Sequence, residues 1–115
     1  MWRLIGITLP QYNDWEKEKQ IIKTLLQNNE IEYFHIRKPE FSSVFMSLFL
    51  EDIPPFIRQC LSLHDCLEVA KEFQIGGVHL NKRNNYAIPS GYEGRISVSC
   101  HSIEEVKEWK PKCDY

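Results

Sequence analysis

The 115-residue chain, 43% hydrophobic and 26% charged, is long enough to form one domain over residues 1–115 with its own buried core. Its formal net charge of −2 gives no electrostatic basis for binding nucleic acid or an anionic membrane, and no apolar run approaches the ~20 residues of a transmembrane helix. Four cysteines without a Cys-x-x-Cys pair, behind an N-terminus that lacks a secretory signal, predict reduced thiols in a cytoplasmic protein.

Apolar periodicity, prolines and capping residues predict strands and helices in alternation along the chain. In chain order we expect strand 3–9, helix 14–27, strand 31–38, helix 44–50, strand 57–63, helix 65–73, strand 76–80, polar loop 81–94, strand 96–101, helix 103–109 and the entrance to a sixth strand at 113–115. Asp14 and either Ser42 or Ser43 are suited to the N-cap positions of the first two helices. Ser102, followed three residues later by Glu105, has the spacing of a capping box.

The alternation of strands and helices favours a parallel sheet with right-handed crossovers. The length alone is matched best by a five-stranded doubly wound sheet, because a complete β/α barrel usually needs roughly 200 residues or more. No glycine-rich phosphate loop follows the first predicted strand, so a nucleotide-binding version of the doubly wound fold is not supported.

The four histidines, His35, His64, His79 and His101, all fall at or near the carboxyl end of a predicted strand. Residues two apart point to the same face of a strand, so each histidine shares its face with small or polar neighbours. The opposite face of the same strands is apolar and is expected to pack under helices. A polar lumen shared by several strands fits a barrel better than a doubly wound sheet, and we expect the four imidazoles to line one cavity.

Simpler explanations exist for the same residues. A single histidine is more often a hydrogen-bonded packing residue than a catalyst, and no His-x-His or His-x-x-x-His spacing indicates zinc. Asp65 is placed to cap the helix that follows it, and Arg37 with Lys38 is either a solvated pair or an anion site. Cys100 and His101 point to opposite faces of a strand, which prevents them from pairing as nucleophile and base.

Five segments form an ordered series of motifs over nearly the whole chain. They are Phe34-His35-Ile36-Arg37-Lys38, Ser62-Leu63-His64-Asp65, Gly76-Gly77-Val78-His79-Leu80, Val98-Ser99-Cys100-His101-Ser102 and Lys112-Cys113-Asp114-Tyr115. In that order and at consistent spacing, they are similar to the Gln-x-Arg-x-Lys, Asn-Asp, Asp-Gly-Val-His-Leu, Val-Ser-x-His-(Ser/Thr) and Gly-Ala-Asp-Tyr motifs of one family. The chain therefore resembles the thiamine phosphate synthase family, including its TenI-like branch.

The resemblance implies an α/β fold of the (β/α)8 barrel class, of which this chain carries about five βα units with parallel strands. It also implies that the open barrel is completed by a second copy of the chain or by a missing C-terminal half. The synthase couples hydroxymethylpyrimidine diphosphate to thiazole phosphate with Mg²⁺ and releases pyrophosphate. The expected ligand is therefore a small phosphorylated thiazole or pyrimidine.

The same resemblance implies roles for individual residues. Arg37 would bind the diphosphate, Asp65 would be a ligand of Mg²⁺, and Ser99 would contact the diphosphate or the leaving group. With these residues we expect three histidines and one asparagine to contact the substrate, namely His35, His64, His79 and Asn84.

Four positions depart from the family pattern. The family's glutamine, lysine, asparagine and second metal-binding aspartate are replaced here by His35, Pro39, His64 and Asn84, respectively. The loss of one carboxylate lowers the negative charge available to hold magnesium diphosphate.

The TenI-like branch includes a thiazole tautomerase, which isomerises a thiazole carboxylate phosphate without a metal and uses a histidine in the fifth-strand segment. The matching residue is His101, and an imidazole suits a proton shuttle because histidine titrates near neutral pH. The residue chemistry thus favours tautomerisation over the synthase reaction. The alternative is a relative that binds the phosphorylated ligand for regulation and does not turn it over.

Overall fold

The computed structural model describes residues 4–11 and 14–115. It contains one five-stranded sheet, whose strands follow each other in the order β1-β2-β3-β4-β5 and pair in parallel throughout. The strands are β1 Ile5–Ile7, β2 Tyr33–Ile36, β3 Leu61–Leu63, β4 Gly77–Leu80 and β5 Arg95–Val98. The helices are α1 Trp15–Gln27, α2 Ser43–Leu50, α3 Pro55–Arg58 and α4 Ile103–Trp109.

The strand order separates the two fold classes considered for the sequence. In a doubly wound sheet the order reverses at a switch point, whereas here every strand lies beside its neighbour in the chain. This sequential parallel order is that of a β/α barrel, and five of its strands are present. The predicted partial barrel is confirmed, and the doubly wound alternative is wrong.

Three predicted helix starts are confirmed by their capping hydrogen bonds. The Asp14 carboxylate accepts from the Lys17 N–H at 3.0 Å, and the Ser42 hydroxyl accepts from the Phe45 N–H at 3.2 Å. The Ser102 hydroxyl accepts from the N–H of Glu105 at 3.1 Å. These caps satisfy backbone donors that have no partner within the helix, which explains why such local signals are informative.

Two predictions in the middle of the chain are wrong. Residues 57 and 58 of the predicted strand 57–63 belong to the short helix α3, because Pro55 lies in the first turn of this helix, where its ring suits a helical φ and it has no N–H to leave unpaired. The strand itself covers only Leu61–Leu63. The predicted helix 65–73 shrinks to a single 3-10 turn, Leu67–Val69. Cys66 lies at a φ of +56°, a left-handed conformation that a helix starting at residue 65 does not accommodate.

The other predicted strands are present but shorter than their patterns, whereas α1, α2 and α4 lie within one residue of the predicted bounds. The loop 81–94 contains a 3-10 turn, Lys82–Asn84, closed by reciprocal Asn81–Asn84 hydrogen bonds. The predicted start of the first strand at residue 3 lies outside the described residues. At 113–115 the main chain extends the sheet past β5, because the Tyr115 carbonyl accepts from the Val98 N–H at 3.0 Å and the Ile96 carbonyl accepts from Asp114.

The two faces of the sheet differ, as the alternating pattern predicts. One face is apolar and packs against helices α1 and α2; its buried strand residues are Phe34, Ile36, Leu61, Leu63, Val78 and Leu80, and the helix residues include Ile22, Leu26, Met46, Phe49 and Leu50. The other face carries polar side chains at the carboxyl ends of the strands. None of the helices in the described ranges is long and apolar enough to cross a membrane.

Candidate functional site at the carboxyl ends of the strands

Strand register brings the polar residues of the inner face together. In the paired strands His35 lies beside Ser62, and His79 lies beside Ser97. His64 follows the last residue of β3, and its N–H donates to the Ile36 carbonyl at 3.0 Å, which continues the pairing of β2 and β3. Three imidazoles from three adjacent strands therefore converge on one point above the sheet.

These imidazoles are in direct contact, and we call His35, His64 and His79 the histidine cluster. A hydrogen bond of 2.7 Å joins His35 Nδ1 to His64 Nε2. The His64 and His79 rings stack with centroids 4.1 Å apart and an interplanar angle of 16°. The His35 and His79 rings meet edge-on at 5.3 Å. The prediction that the histidines come together is confirmed for three of the four.

Hydroxyl groups hold the outer nitrogens of the cluster. The Tyr115 Oη forms a hydrogen bond of 2.8 Å with His35 Nε2, and the Tyr115 ring stacks on Tyr33. His79 binds the hydroxyls of Ser97 and Ser99 through its two ring nitrogens, each at 2.7 Å. Ser99, predicted to contact the substrate, thus lies on the wall of the cluster.

Tyr115 is a site residue that sequence reasoning did not select. The available signal was its place in the predicted sixth strand, where its main chain pairs with β5 and directs the ring across the inner face to His35. Alternation along only three residues was too short to show that direction.

The histidine cluster is electrically neutral at pH 7. Burial, reinforced by His79 and by the Arg95 guanidinium, lowers the pKa of His35 to about 4. Burial, together with the neighbouring imidazoles and arginines, lowers the pKa of His64 to about 2. Burial also lowers the pKa of His79, with a contribution from Arg83. The imidazoles therefore act as donors and acceptors of single hydrogen bonds and not as cations.

His101 lies apart from the histidine cluster. β5 ends at Val98, so the strand alternation that would have turned residue 101 into the lumen stops before it. The His101 side chain is exposed, and its N–H donates to the Glu105 Oε2 at 2.9 Å at the start of α4. The prediction of one cavity lined by all four histidines is wrong in this respect. The role of His101 as a proton shuttle stays a prediction.

Asp65 joins two strand ends instead of capping a helix. Its carboxylate accepts from the Lys38 N–H at 2.9 Å. The Arg83 guanidinium donates to both oxygens, Nε to Oδ1 at 3.0 Å and Nη2 to Oδ2 at 3.4 Å. Arg83 was not selected from the sequence, because the loop that carries it showed no periodic pattern.

Asn84 is likewise occupied by the protein. Its amide nitrogen donates to the carbonyls of His64 at 3.1 Å and His79 at 2.8 Å, and its oxygen accepts from the N–H groups of Asn81 and Tyr86. The side chain therefore fixes the ends of β3 and β4. Asn84 also lines, beside Arg83, a cavity of about 500 Å³ that reaches Ser42.

Arg37 and Lys38 have different environments. The Arg37 main chain forms two hydrogen bonds with the Thr8 hydroxyl, and its side chain lines a separate cavity of about 470 Å³. Lys38 is 1% exposed, and its Nζ binds the Glu18 carboxylate and the Leu9 carbonyl, both at 2.7 Å. Lys38 is therefore an internal cation. Two alternatives were predicted for Arg37 with Lys38, a solvated pair and an anion site, and both are wrong for Lys38.

Asp65, predicted to hold Mg²⁺, and Asn84, which replaces the family's second metal-binding aspartate, do not fit that ion. Magnesium is bound in near-octahedral geometry by oxygen atoms, usually carboxylates, phosphates and water. Here the Asp65 oxygens are taken by Arg83 and by the Lys38 N–H, and Asn84 presents its amide nitrogen to carbonyls. The guanidinium thus places a permanent positive charge on the carboxylate that would hold the metal.

Comparison with known proteins agrees with this fold. No protein-family model matches the chain, and no curated protein matches it significantly. The crystal structure of thiamine phosphate pyrophosphorylase from Bacteroides thetaiotaomicron matches with 36% sequence identity and a TM-score of 0.83, over 99% of this chain and 56% of that one. The chain thus spans little more than half the length of that protein. By fold, motif order and identity, this chain belongs to the thiamine phosphate synthase family.

Proposed function

We propose that the chain acts in thiamine biosynthesis and binds a phosphorylated thiazole or pyrimidine above the carboxyl ends of β2 to β5. The observation that carries this proposal is the convergence of the histidine cluster at that end of the sheet, in a chain matched over 99% of its length by a thiamine phosphate pyrophosphorylase. Ligands of β/α barrels bind at the carboxyl ends of the strands.

The chemistry of the site suits both parts of such a ligand. Neutral imidazoles offer flat surfaces and single hydrogen bonds to a heteroaromatic ring. Arg37 and Arg83 lie at the same end of the sheet and provide guanidinium groups for a phosphate. Ser99 adds a hydroxyl at the wall of the cluster.

Between the two reactions of the family, the residues favour isomerisation of the thiazole phosphate. The synthase reaction relies on Mg²⁺, whereas the Asp65 carboxylate is held by Arg83. In an isomerisation, His101 removes a proton from one ring carbon and returns it to another, so no group is gained or lost. The exposed position of His101 next to the N-terminus of α4 leaves it open to a ligand bound above the strands.

Coupling of a pyrimidine diphosphate to a thiazole phosphate is the second candidate. It is favoured by the description of the matched structure as a pyrophosphorylase. This reaction releases pyrophosphate and would use Mg²⁺, so a metal dependence separates it from isomerisation.

We further propose that the open sides of the barrel are covered in the working protein by a second copy or by a C-terminal half. In β1 and its flanks, apolar side chains are exposed, among them Leu4 at 61%, Ile7 at 57% and Leu9 at 59%. Exposed apolar edge strands are unfavourable in water and promote association. The four cysteines are free thiols, which supports the proposed cytoplasmic location.

Assays of the protein made from its complete natural gene test the proposed reaction. We expect isomerisation of the thiazole phosphate in the presence of EDTA, and a loss of at least about 100-fold in His101→Ala, the range that general acid–base catalysis contributes. Lys107→Ala, which changes another exposed residue of the same segment, is the matched control. Pyrophosphate release that depends on Mg²⁺ would support the second candidate instead. Ligand binding without either reaction would establish the non-catalytic alternative.

A further inference from the structure

The histidine cluster has the composition of a transition-metal site. Each of its three side chains offers one nitrogen atom to a metal, and these nitrogens all lie within 4.8 Å of one another. No other group of three or more histidine, cysteine or acidic side chains in the described ranges converges in this way. We propose that His35, His64 and His79 bind one divalent transition-metal ion of the Zn²⁺ type. This site differs from the predicted magnesium position at Asp65, and the inference does not depend on the proposed reaction.

The inner nitrogens are close to the spacing that a metal requires. Four-coordinate zinc with Zn–N bonds of about 2.05 Å separates neighbouring nitrogens by about 3.3 Å. His35 Nδ1 and His64 Nε2 are 2.7 Å apart and joined by a hydrogen bond, so one of these two nitrogens carries a proton. A metal ion takes the place of this hydrogen bond when the two rings separate by roughly half an ångström and the proton moves to the other nitrogen of its ring. His79 completes a set of three nitrogens by rotating one nitrogen away from its serine.

The outer hydrogen bonds resemble those of bound metal ligands. Histidines that coordinate metals usually hold their second nitrogen in a hydrogen bond, which fixes the tautomer and the ring orientation. His35 has this arrangement already, with Nε2 bound to the Tyr115 hydroxyl. His79 has a serine hydroxyl at each nitrogen, so one nitrogen stays anchored when the other turns to the metal.

The ligand type favours such a metal as well. A histidine coordinates a metal through a lone pair of its imidazole, and two of the three imidazoles, those of His35 and His64, are buried. Imidazole nitrogen prefers Zn²⁺, Co²⁺, Ni²⁺ and Cu²⁺, whereas Mg²⁺ prefers oxygen.

The surrounding charges predict an anionic fourth ligand. Arg83 and Arg95 add positive charge near the histidine cluster, and the carboxylate of Asp65 is already paired with Arg83. Three neutral ligands leave the metal with its full charge, so a hydroxide, carboxylate or phosphate oxygen is expected to occupy the open position. His79 is only partly buried and provides the path of entry.

Titration of the tag-free, full-length protein with ZnCl₂ and CoCl₂ tests the site. Isothermal calorimetry should give one Zn²⁺ ion per chain and no heat with MgCl₂. Bound Co²⁺ should show the intense visible absorption of a four-coordinate site. His64→Gln and His79→Gln should each weaken Zn²⁺ binding by at least about tenfold, whereas His101→Gln, which changes an exposed histidine outside the cluster, should bind as the unmodified protein does.

A measurement on the unmodified chain avoids the problem of variants that do not fold. In a two-dimensional nuclear magnetic resonance spectrum of the histidine side chains, Zn²⁺ should shift the imidazole nitrogens of His35, His64 and His79 and leave His101 unchanged. The inference is overturned if the folded protein binds no Zn²⁺, if only the His101 signal moves, or if the cluster variants keep the affinity of the unmodified chain.

Discussion

Arg83 and Asp65 form a two-point ion pair across the carboxyl ends of the strands. Nε of Arg83 lies 3.0 Å from Oδ1 of Asp65, and Nη2 lies 3.4 Å from Oδ2. The Asp65 side chain is nearly buried, whereas the Arg83 side chain is partly exposed. The Arg83 guanidinium therefore supplies, from within the protein, the positive charge that a metal would supply at this carboxylate.

Removal of Arg83 should create an affinity for Mg²⁺ that the unmodified protein lacks. In Arg83→Ala the Asp65 oxygens lose their charged partner, so addition of 10 mM MgCl₂ should raise the thermal midpoint of this variant and leave that of the unmodified protein unchanged. The unpaired carboxylate should also cost about 1–3 kcal/mol of the free energy of unfolding without the metal.

Lys82→Ala is the matched control for Arg83→Ala, because it removes an adjacent exposed cation of the same turn. It should change neither the thermal midpoint nor its response to magnesium. A clear stabilisation of the unmodified protein by MgCl₂ would contradict the conclusion that the donor set does not fit this ion.

The buried pair of Lys38 and Glu18 should be essential for stability. Lys38→Met leaves the Glu18 carboxylate buried without its partner, and breaking such a pair costs about 3–5 kcal/mol. The double variant Lys38→Met with Glu18→Leu should recover much of this loss, because it removes both buried charges. Urea unfolding measures both values, and Lys17→Met, at an exposed position of α1, should change stability by less than about 0.5 kcal/mol. Equal stability of the two lysine variants would contradict the pairing.

Stability should decrease in mild acid because of the histidine cluster. Unfolded histidines titrate near pH 6.5, whereas burial lowers the pKa of His35 to about 4 and that of His64 to about 2. Burial also lowers the pKa of His79. Below pH 6.5 unfolding takes up protons at all three residues, so the free energy of unfolding is largest above pH 6.5 and falls toward pH 4. Each proton contributes a slope of up to about 1.4 kcal/mol per pH unit.

Urea unfolding in EDTA at pH 7, 6 and 5 measures this slope. His64→Gln should reduce it, because one of the three imidazoles with a lowered pKa no longer takes up a proton on unfolding. His101→Gln should leave the slope unchanged, since that side chain is exposed. The arginines near the cluster stay charged over this range and do not contribute to the slope. An identical slope in all three proteins would show that the cluster is not the source.

Tyr115→Phe should weaken the cluster without removing a ring. The variant keeps the stacking on Tyr33 but loses the hydrogen bond from the hydroxyl to His35 Nε2. We expect a loss of about 0.5–1.5 kcal/mol in the free energy of unfolding, the usual value of one hydrogen bond. The His35 side-chain nitrogen signals should shift as the outer partner is lost, and unchanged signals would argue against this contact in solution. Tyr86→Phe, a partly buried ring elsewhere, is the control.

Local patterns in the sequence were sufficient for much of the fold. The caps Asp14, Ser42 and Ser102 depend on atoms three residues apart, and strand alternation depends on residues two apart. These features separate the apolar face of the sheet from the polar one, and the order of elements makes the sheet parallel. Local patterns were misleading near Cys66, because its left-handed backbone conformation is incompatible with the helix expected to start at residue 65.

The identity of the partners in the site depended on tertiary contacts. His35 and His64 are 29 residues apart, and Asp65 and Arg83 are 18 apart, so neither pair has a local sequence signal. The register of adjacent strands brings each pair together. Burial then keeps the imidazoles neutral and makes Lys38 an internal cation. His101 has the same strand-end position in the sequence as the other three histidines. His101 lies outside the histidine cluster because β5 ends at Val98. The end of a strand is determined by its pairing with the neighbouring strand, which the composition of the segment does not show.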